Sequence, residues 1–237
     1  MALLEITNLK KSYIAPGGTR FDVIDVPSFD LEVGEQMALA GASGSGKTTL
    51  LHLIAGIISP DSGRIRIAGE DLTSLGEAGR DRVRARTIGY VFQTFNLLQG
   101  YTALENVMLG QMFGGGVNAK RARELLLRVG LGDRLNYRPR ELSVGQQQRI
   151  AVARALANQP KLVLADEPTG NLDQRRGLEA LALIREVCRE KGTALLLVSH
   201  DREVLGQFGR VARLGEINRA YLPTGDLLMR VQTGGKR

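Results

Sequence analysis

The stretch QMALAGASGSGKTTLLHLIAGI, residues 36–57, settles the fold. Gln36–Ala40 is a short apolar run of strand length, and TLLHLIAGI places apolar side chains at helical spacing. Between them, Gly41, Ala42, Ser43, Gly44, Ser45, Gly46, Lys47 and Thr48 fit G-x-x-x-x-G-K-[ST], a strand-to-helix turn that cradles phosphate. Glycines let the backbone curl until successive N–H groups point inward, and the helix start adds positive potential. Lys47 offers a point charge to the terminal phosphates, and the Thr48 hydroxyl is placed to ligate Mg2+.

Such a loop needs an acid at the end of a neighbouring buried strand. Leu162–Ala165 shows no polar alternation, as expected of a central parallel strand covered on both faces. Asp166 ends it as the second Mg2+ ligand, and Glu167 follows as a base for a water attacking the γ-phosphate. Thr193–Ser199 is a second unbroken apolar strand. Leu3–Leu9, Val23–Val33 and Arg64–Ile67 read as strands, the last alternating like an antiparallel strand with one wet face, and Gly34-Glu35 reads as a turn. Ile88–Phe92 is a further strand.

From Thr94 to about Ala157 the signals become helical. Thr102 and Glu105 form a capping-box pattern, and Asn118 caps a helix that Gly130 closes. A long helix then runs to Lys191 and stops at Gly192. The pattern predicts an α/β protein whose parallel-sheet core carries an antiparallel β subdomain and an inserted α-helical subdomain.

The 237 residues suit one domain, and 43% hydrophobic content supports a real core. The net charge of +7, with basic runs RDRVRAR and KRAR, suits nucleic acid, an anionic membrane face, phosphorylated ligands or a plain solvated surface. The one cysteine, Cys188, rules out an intrachain disulfide and reads as core filler. The N-terminal stretch does not read as a signal peptide, and the runs LLHLIAGII and ALLLV are too short to span a bilayer. Membrane work would need another chain.

A second anion-type helix start, LSVGQQQR at 142–149, explains why one chain would carry two. Followed by IAVARAL and KLVLADEP, it resembles the signature sequence, usually LSGGQ, of the ATP-binding subunits of ABC transporters. The resemblance implies a P-loop NTPase (RecA-like) core within a single domain over 1–237, with core segments 1–93 and 158–225 and a helical subdomain over 94–157. It implies ATP and Mg2+ as ligands, with Thr49 joining the phosphate-loop contacts. Ser143, Gly145 and Gln146 would grip the γ-phosphate held by a second copy, giving an ATP-sandwich dimer. Val144 replaces the usual glycine and should take ordinary helical or extended backbone. Gln93 matches the glutamine that touches Mg2+ or the attacking water. Asp173 falls in the loop that reaches across the dimer, His200 matches the histidine contacting the γ-phosphate, and Tyr13 the aromatic that stacks on adenine. His52 reads as packing.

FQTFNLLQGYTALENVMLG and ADEPTGNLD resemble the lipoprotein-release, macrolide-efflux and cell-division group. That implies transmembrane permease partners docking on the helical insertion, membrane contact through them, no nucleic-acid partner, and a cytoplasmic location on the inner face of the cell membrane. The competing reading is an ABC-type ATPase of DNA repair or translation. The former carries a long coiled coil for which Gln93–Leu142 is too short, and the latter carries two cassettes. The stretch from Ile217 to Arg237 carries no usable motif.

Overall fold

The computed structural model describes residues 2–220. Strand β1 (Ala2–Ile14) pairs antiparallel with β2 (Arg20–Glu32), and a turn at Val33–Gly34 leads into β3 (Gln36–Ala40). After the glycine-rich turn come α1 (Lys47–Ile54), β4 (Ser62–Ile67), the two-residue β5 (Glu70–Asp71) and α2 (Glu77–Thr87). Then follow β6 (Ile88–Val91), α3 (Ala103–Leu109), α4 (Ala119–Arg128) and α5 (Val144–Ala155). Strand β7 (Leu162–Asp166), helix α6 (Gln174–Lys191) and β8 (Ala194–Ser199) complete the main elements. Short elements α7 (Arg202–Leu205), β9 (Arg210–Arg213) and α8 (Leu214–Ile217) close the described chain.

The strands form two sheets. One is antiparallel, in the order β2-β1-β4-β5; the other is parallel, in the order β6-β7-β8-β3-β9. Both β7 and β8 are buried at every position, so their side chains alternate between two apolar layers. Leu195 and Leu197 pack with α5 and α6, whereas Leu196 and Val198 join α1 and the antiparallel sheet. Each fully buried Leu or Val contributes about 1.5–3 kcal/mol relative to exposure. Helix α6 faces this core with Ala180, Leu181, Ile184, Val187 and Cys188, a 3.6-residue stripe, and ends where Gly192 turns left-handed at φ 62°. Burial pushes the Cys188 thiol up to about 12, as befits core filler.

Local capping follows the sequence. Thr102 Oγ1 accepts from the Glu105 N–H at 3.2 Å while Glu105 accepts from the Thr102 N–H at 2.7 Å. Asn118 caps α4 through the Arg121 N–H, and Gly130 after it has φ 76°. Strand bounds differ where the pairing residues are mostly exposed and leave no apolar alternation. β1 continues past Leu9 to Ile14, β2 starts at Arg20, and the turn expected at Gly34-Glu35 sits one residue earlier. Helix α2 and strand β9 carry too few buried side chains to leave a pattern: only Val83 and Thr87 are buried in α2. The end of the second core segment, placed at 225, and the C-terminal stretch from Tyr221 lie outside the described residues.

Candidate functional site

Four segments meet at the carboxyl edge of the parallel sheet, where ligands collect in such folds. Strand β3 delivers the glycine-rich turn, β7 delivers Asp166 and Glu167, β8 delivers Ser199 and His200, and β6 leads into Gln93. Within the turn, Gly44 and Gly46 take φ 76° and 95°, a region costly to residues with a Cβ. A Cβ on Gly46 would lie 3.1 Å from the Val23 carbonyl oxygen, so the turn rests directly on β2.

Lys47 is 7% exposed. Its ammonium donates to the carbonyls of Gly41 (2.8 Å) and Ala42 (3.0 Å) and lies 3.3 Å from Glu167 Oε1. Glu167, also buried, holds φ 43°, its N–H donating to Val198 O at 3.0 Å. Its Oε1 is 2.7 Å from His200 Nδ1, and its Oε2 accepts from the Ser199 hydroxyl at 3.2 Å. One carboxylate thus joins the ammonium, the imidazole and a hydroxyl. The His200 side chain is 66% exposed, so its ring reaches from this buried acid out to solvent.

Asp166 is 5% exposed, and its Oδ1 has no hydrogen-bond partner among the described residues. Burial raises its pKa against the hydrogen bond from Thr48, with the Glu167 charge adding to the rise. A buried carboxylate oxygen without a partner, beside a threonine hydroxyl, is a donor set suited to a hard, oxygen-seeking cation. Among the described residues no group of three or more His, Cys, Asp or Glu could hold a metal.

Gln93 adjoins this cluster. Its carbonyl accepts from Asn171 Nδ2 at 2.6 Å, and its side-chain Nε2 would be 3.4 Å from a Cβ on Gly170. Phe95 and Asn96, just beyond, hold φ 55° and 49°, and the Arg154 guanidinium donates to both carbonyls at 2.6 Å.

Ser143, Gly145 and Gln146 stand elsewhere. They line a separate cavity of about 260 Å³ with Arg149, Leu172 and Arg176. Ser143 caps α5 reciprocally: its hydroxyl accepts from the Gln146 N–H at 3.3 Å, and its own N–H donates to Gln146 Oε1 at 2.9 Å. Val144 is the first helical residue and 45% exposed, in the ordinary backbone expected of it. Asp173 caps α6 and pairs with Arg176 at 3.3 Å, on the side of that cavity. Tyr13 lies on β1 with its ring half-exposed, and His52 packs 5.9 Å from the Tyr90 ring.

Several contributors left no sequence signal. Arg154 acts through carbonyls 58 and 59 residues away. Asn218 bonds β2 twice, accepting from the Asp25 N–H at 2.7 Å and donating to Val23 O at 2.8 Å. Ser199 was within reach, being the polar end of an apolar strand beside His200.

Comparison with known proteins agrees with this architecture. The family model described as ABC transporter matches residues 24–170. The lipoprotein-releasing system ATP-binding protein LolD of Geobacter metallireducens is 46% identical over 216 residues, covering 90% of this chain and 96% of that protein. An uncharacterized ABC transporter ATP-binding protein of Thermotoga maritima is 45% identical, with 90% and 91% covered. A dimeric, post-hydrolysis structure of the ATP-binding cassette MJ0796 bound to ADP and Pi superposes with a TM-score of 0.78 at 35% identity, covering 89% of this chain and 93% of that one. A further dimeric structure of the same bacterial ABC transporter cassette gives 0.80 at the same identity and coverage.

Proposed function

Since the chain belongs to the ABC transporter ATP-binding family, we propose the following division of labour among its residues. It is the ATP-binding, ATP-hydrolysing subunit of a transporter. The turn from Gly41 to Thr48, with Thr49, receives the phosphates. Lys47 exchanges the carbonyls of Gly41 and Ala42 for phosphate oxygens. Asp166, Thr48 and Gln93 would hold Mg2+, which would supply neutralisation of the phosphate charge. Glu167 accepts the proton of the attacking water, and His200, oriented through Nδ1, faces the γ-phosphate. Tyr13 stacks on the base.

The observation that carries this reading is the buried Lys47–Glu167–His200 contact at the end of the phosphate-type turn. It keeps the base and the phosphate-binding cation neutralised by one another until a nucleotide separates them.

The tip at Ser143, Gly145 and Gln146 serves the nucleotide of a second copy, with Asp173 reaching across, so that two chains enclose two ATP. A Cβ on Gly145 would meet only Arg176 Cδ, at 3.9 Å, so packing within the chain does not require glycine there. A phosphate approaching from outside does.

The helical subdomain over 94–157 moves against the core of 1–93 and 158–225 and carries the membrane partners. Those partners are permease subunits of the lipoprotein-release, efflux or mechanotransmission kind, with this chain on the cytoplasmic face of the membrane. Among the described residues no helix is long and apolar enough to cross a membrane, which accords with spans supplied by other chains. Transport is favoured over DNA repair by the relatives and by the span from Gln93 to Leu142, whose two α-helices have 7 and 10 residues rather than a long coiled coil. Glu167→Gln tests the assignment: ATP binding should persist while turnover falls by about 10²–10⁴-fold, and normal hydrolysis by this variant would remove Glu167 as the base.

A further inference from the structure

The ring of Tyr13 does not stand alone. Its direct cross-strand partner on β2 is Phe21, with ring centroids 6.3 Å apart and planes tilted by 32°. Tyr13 is 39% exposed and Phe21 48%, so two aromatic rings share one wet face of the hairpin. Exposing two large rings side by side forfeits burial free energy, and such patches mark binding surfaces.

Two further features hold this pair in place and aim it. The pairing passes from Lys11↔Ile24 to Ser12↔Asp22, leaving Val23 as an extra residue on β2. Bulges of this kind re-aim the strand beside a site. The bulged Val23 is the residue against which Gly46 of the phosphate turn rests. Phe21 lies two residues from Val23 on β2, roughly 7 Å along the strand. The hairpin is also pinned from behind. Asp61 accepts from the Ser12 N–H at 2.8 Å and pairs with Lys11 (3.2 Å) and Arg20 (3.3 Å). Lys11 Nζ in turn lies 5.7 Å from the Tyr13 ring centroid, within cation–π range.

We propose that Phe21 and Tyr13 together form a preorganised two-ring seat for the purine of the bound nucleotide, Phe21 acting as a second base-stacking residue. This rests on the reading of Gly41–Thr48 as the triphosphate site. Stacking on aromatic rings reads a π-face rather than a phosphate, so Phe21 adds affinity for ATP and none for bare tripolyphosphate.

The experiment compares ATP and inorganic tripolyphosphate by calorimetry on the full chain. Phe21→Ala should weaken ATP about tenfold and leave tripolyphosphate within about twofold. The chain has no tryptophan, so Phe21→Trp installs a single reporter at the seat. Its emission should change with ATP and stay constant with tripolyphosphate. Undiminished ATP affinity in Phe21→Ala, equal losses for both ligands, or a tryptophan silent to ATP each overturn the proposal. A wild-type chain that binds neither ligand, or a Lys47→Ala variant that binds both undiminished, removes the triphosphate reading itself and the seat with it.

Discussion

Two glycine-bearing helix starts of this chain, at Gly41–Thr48 and at Ser143–Gln146, are built to opposite plans. The first is folded in on itself. Lys47 and Ser45 are nearly buried, the ammonium is satisfied by carbonyls and by Glu167, and the turn rests on β2. The second is capped and complete, and a Cβ at residue 145 would make no more than ordinary contact, with Arg176 Cδ at 3.9 Å. Both can meet an anion, and the first lies against the carboxylates of Glu167 and Asp166. On the reading proposed above, the inward turn serves its own chain and the outward one a neighbour.

Substitutions can break that contrast. Lys47→Ala should have the largest effect, because a buried charged contact is worth about 2–5 kcal/mol. ATP binding measured by calorimetry should fall roughly a hundredfold or more, and an unchanged affinity would mean the inward turn is not the phosphate site. Ser143→Ala should leave ATP binding by the isolated chain intact, lower turnover about tenfold, and cost about 1 kcal/mol of stability through the lost cap. Mixed together, these two impaired variants should recover hydrolysis, since a pair then contains one site with an intact Lys47 and an intact Ser143 from opposite copies. Failure to recover would break the two-body half of the contrast.

Gly145→Ala sharpens it further by separating sign from sign. With no clash inside its own chain, the added methyl should raise helix stability by about 0.5–1 kcal/mol in thermal unfolding. Turnover should fall, because the same methyl occupies the phosphate's approach. Improved stability with full turnover would show that nothing approaches there.

The smallest effect lies in acid. The Ser12 hydroxyl, its N–H and Lys11 hold the Asp61 carboxyl down to about 2 from 3.8. A lowered folded value means the stabilisation is present above the ordinary carboxylate range and is lost as pH falls from about 4 towards 2. Asp61→Asn should flatten that part of the acid-unfolding profile, on the hairpin beside the inward turn. A profile identical to wild type would show that this pinning does not contribute.

What could be read ahead of the structure follows the same physics. Strands β3, β7 and β8 were legible to within a residue because burial on both faces leaves unbroken apolar runs. Residues that follow one another in the chain, such as 41–48 or 166–167, carry their spacing in the sequence. Helix α2 was not legible, since its arginines leave only two buried positions, and β9 has no fully buried side chain to leave an apolar pattern. Nor was Arg154, whose partners are carbonyls distant in sequence and presented by a left-handed bend at Phe95 and Asn96. Carbonyls are common to every residue type, so no side-chain pattern announces them.

The strand order carries a consequence for how this molecule comes into being. Strand β3, which bears the phosphate turn, is flanked by β8 and β9, the last two strands among the described residues. At typical translation speeds they emerge on the order of ten seconds or more after β3. A nascent polypeptide on the ribosome therefore carries its glycine turn against β2 alone, without the acid of β7 or the histidine after β8. Competence to consume fuel arrives only once β8 and β9 have docked on either side of β3, so copies that have not reached that point are idle engines rather than leaking ones.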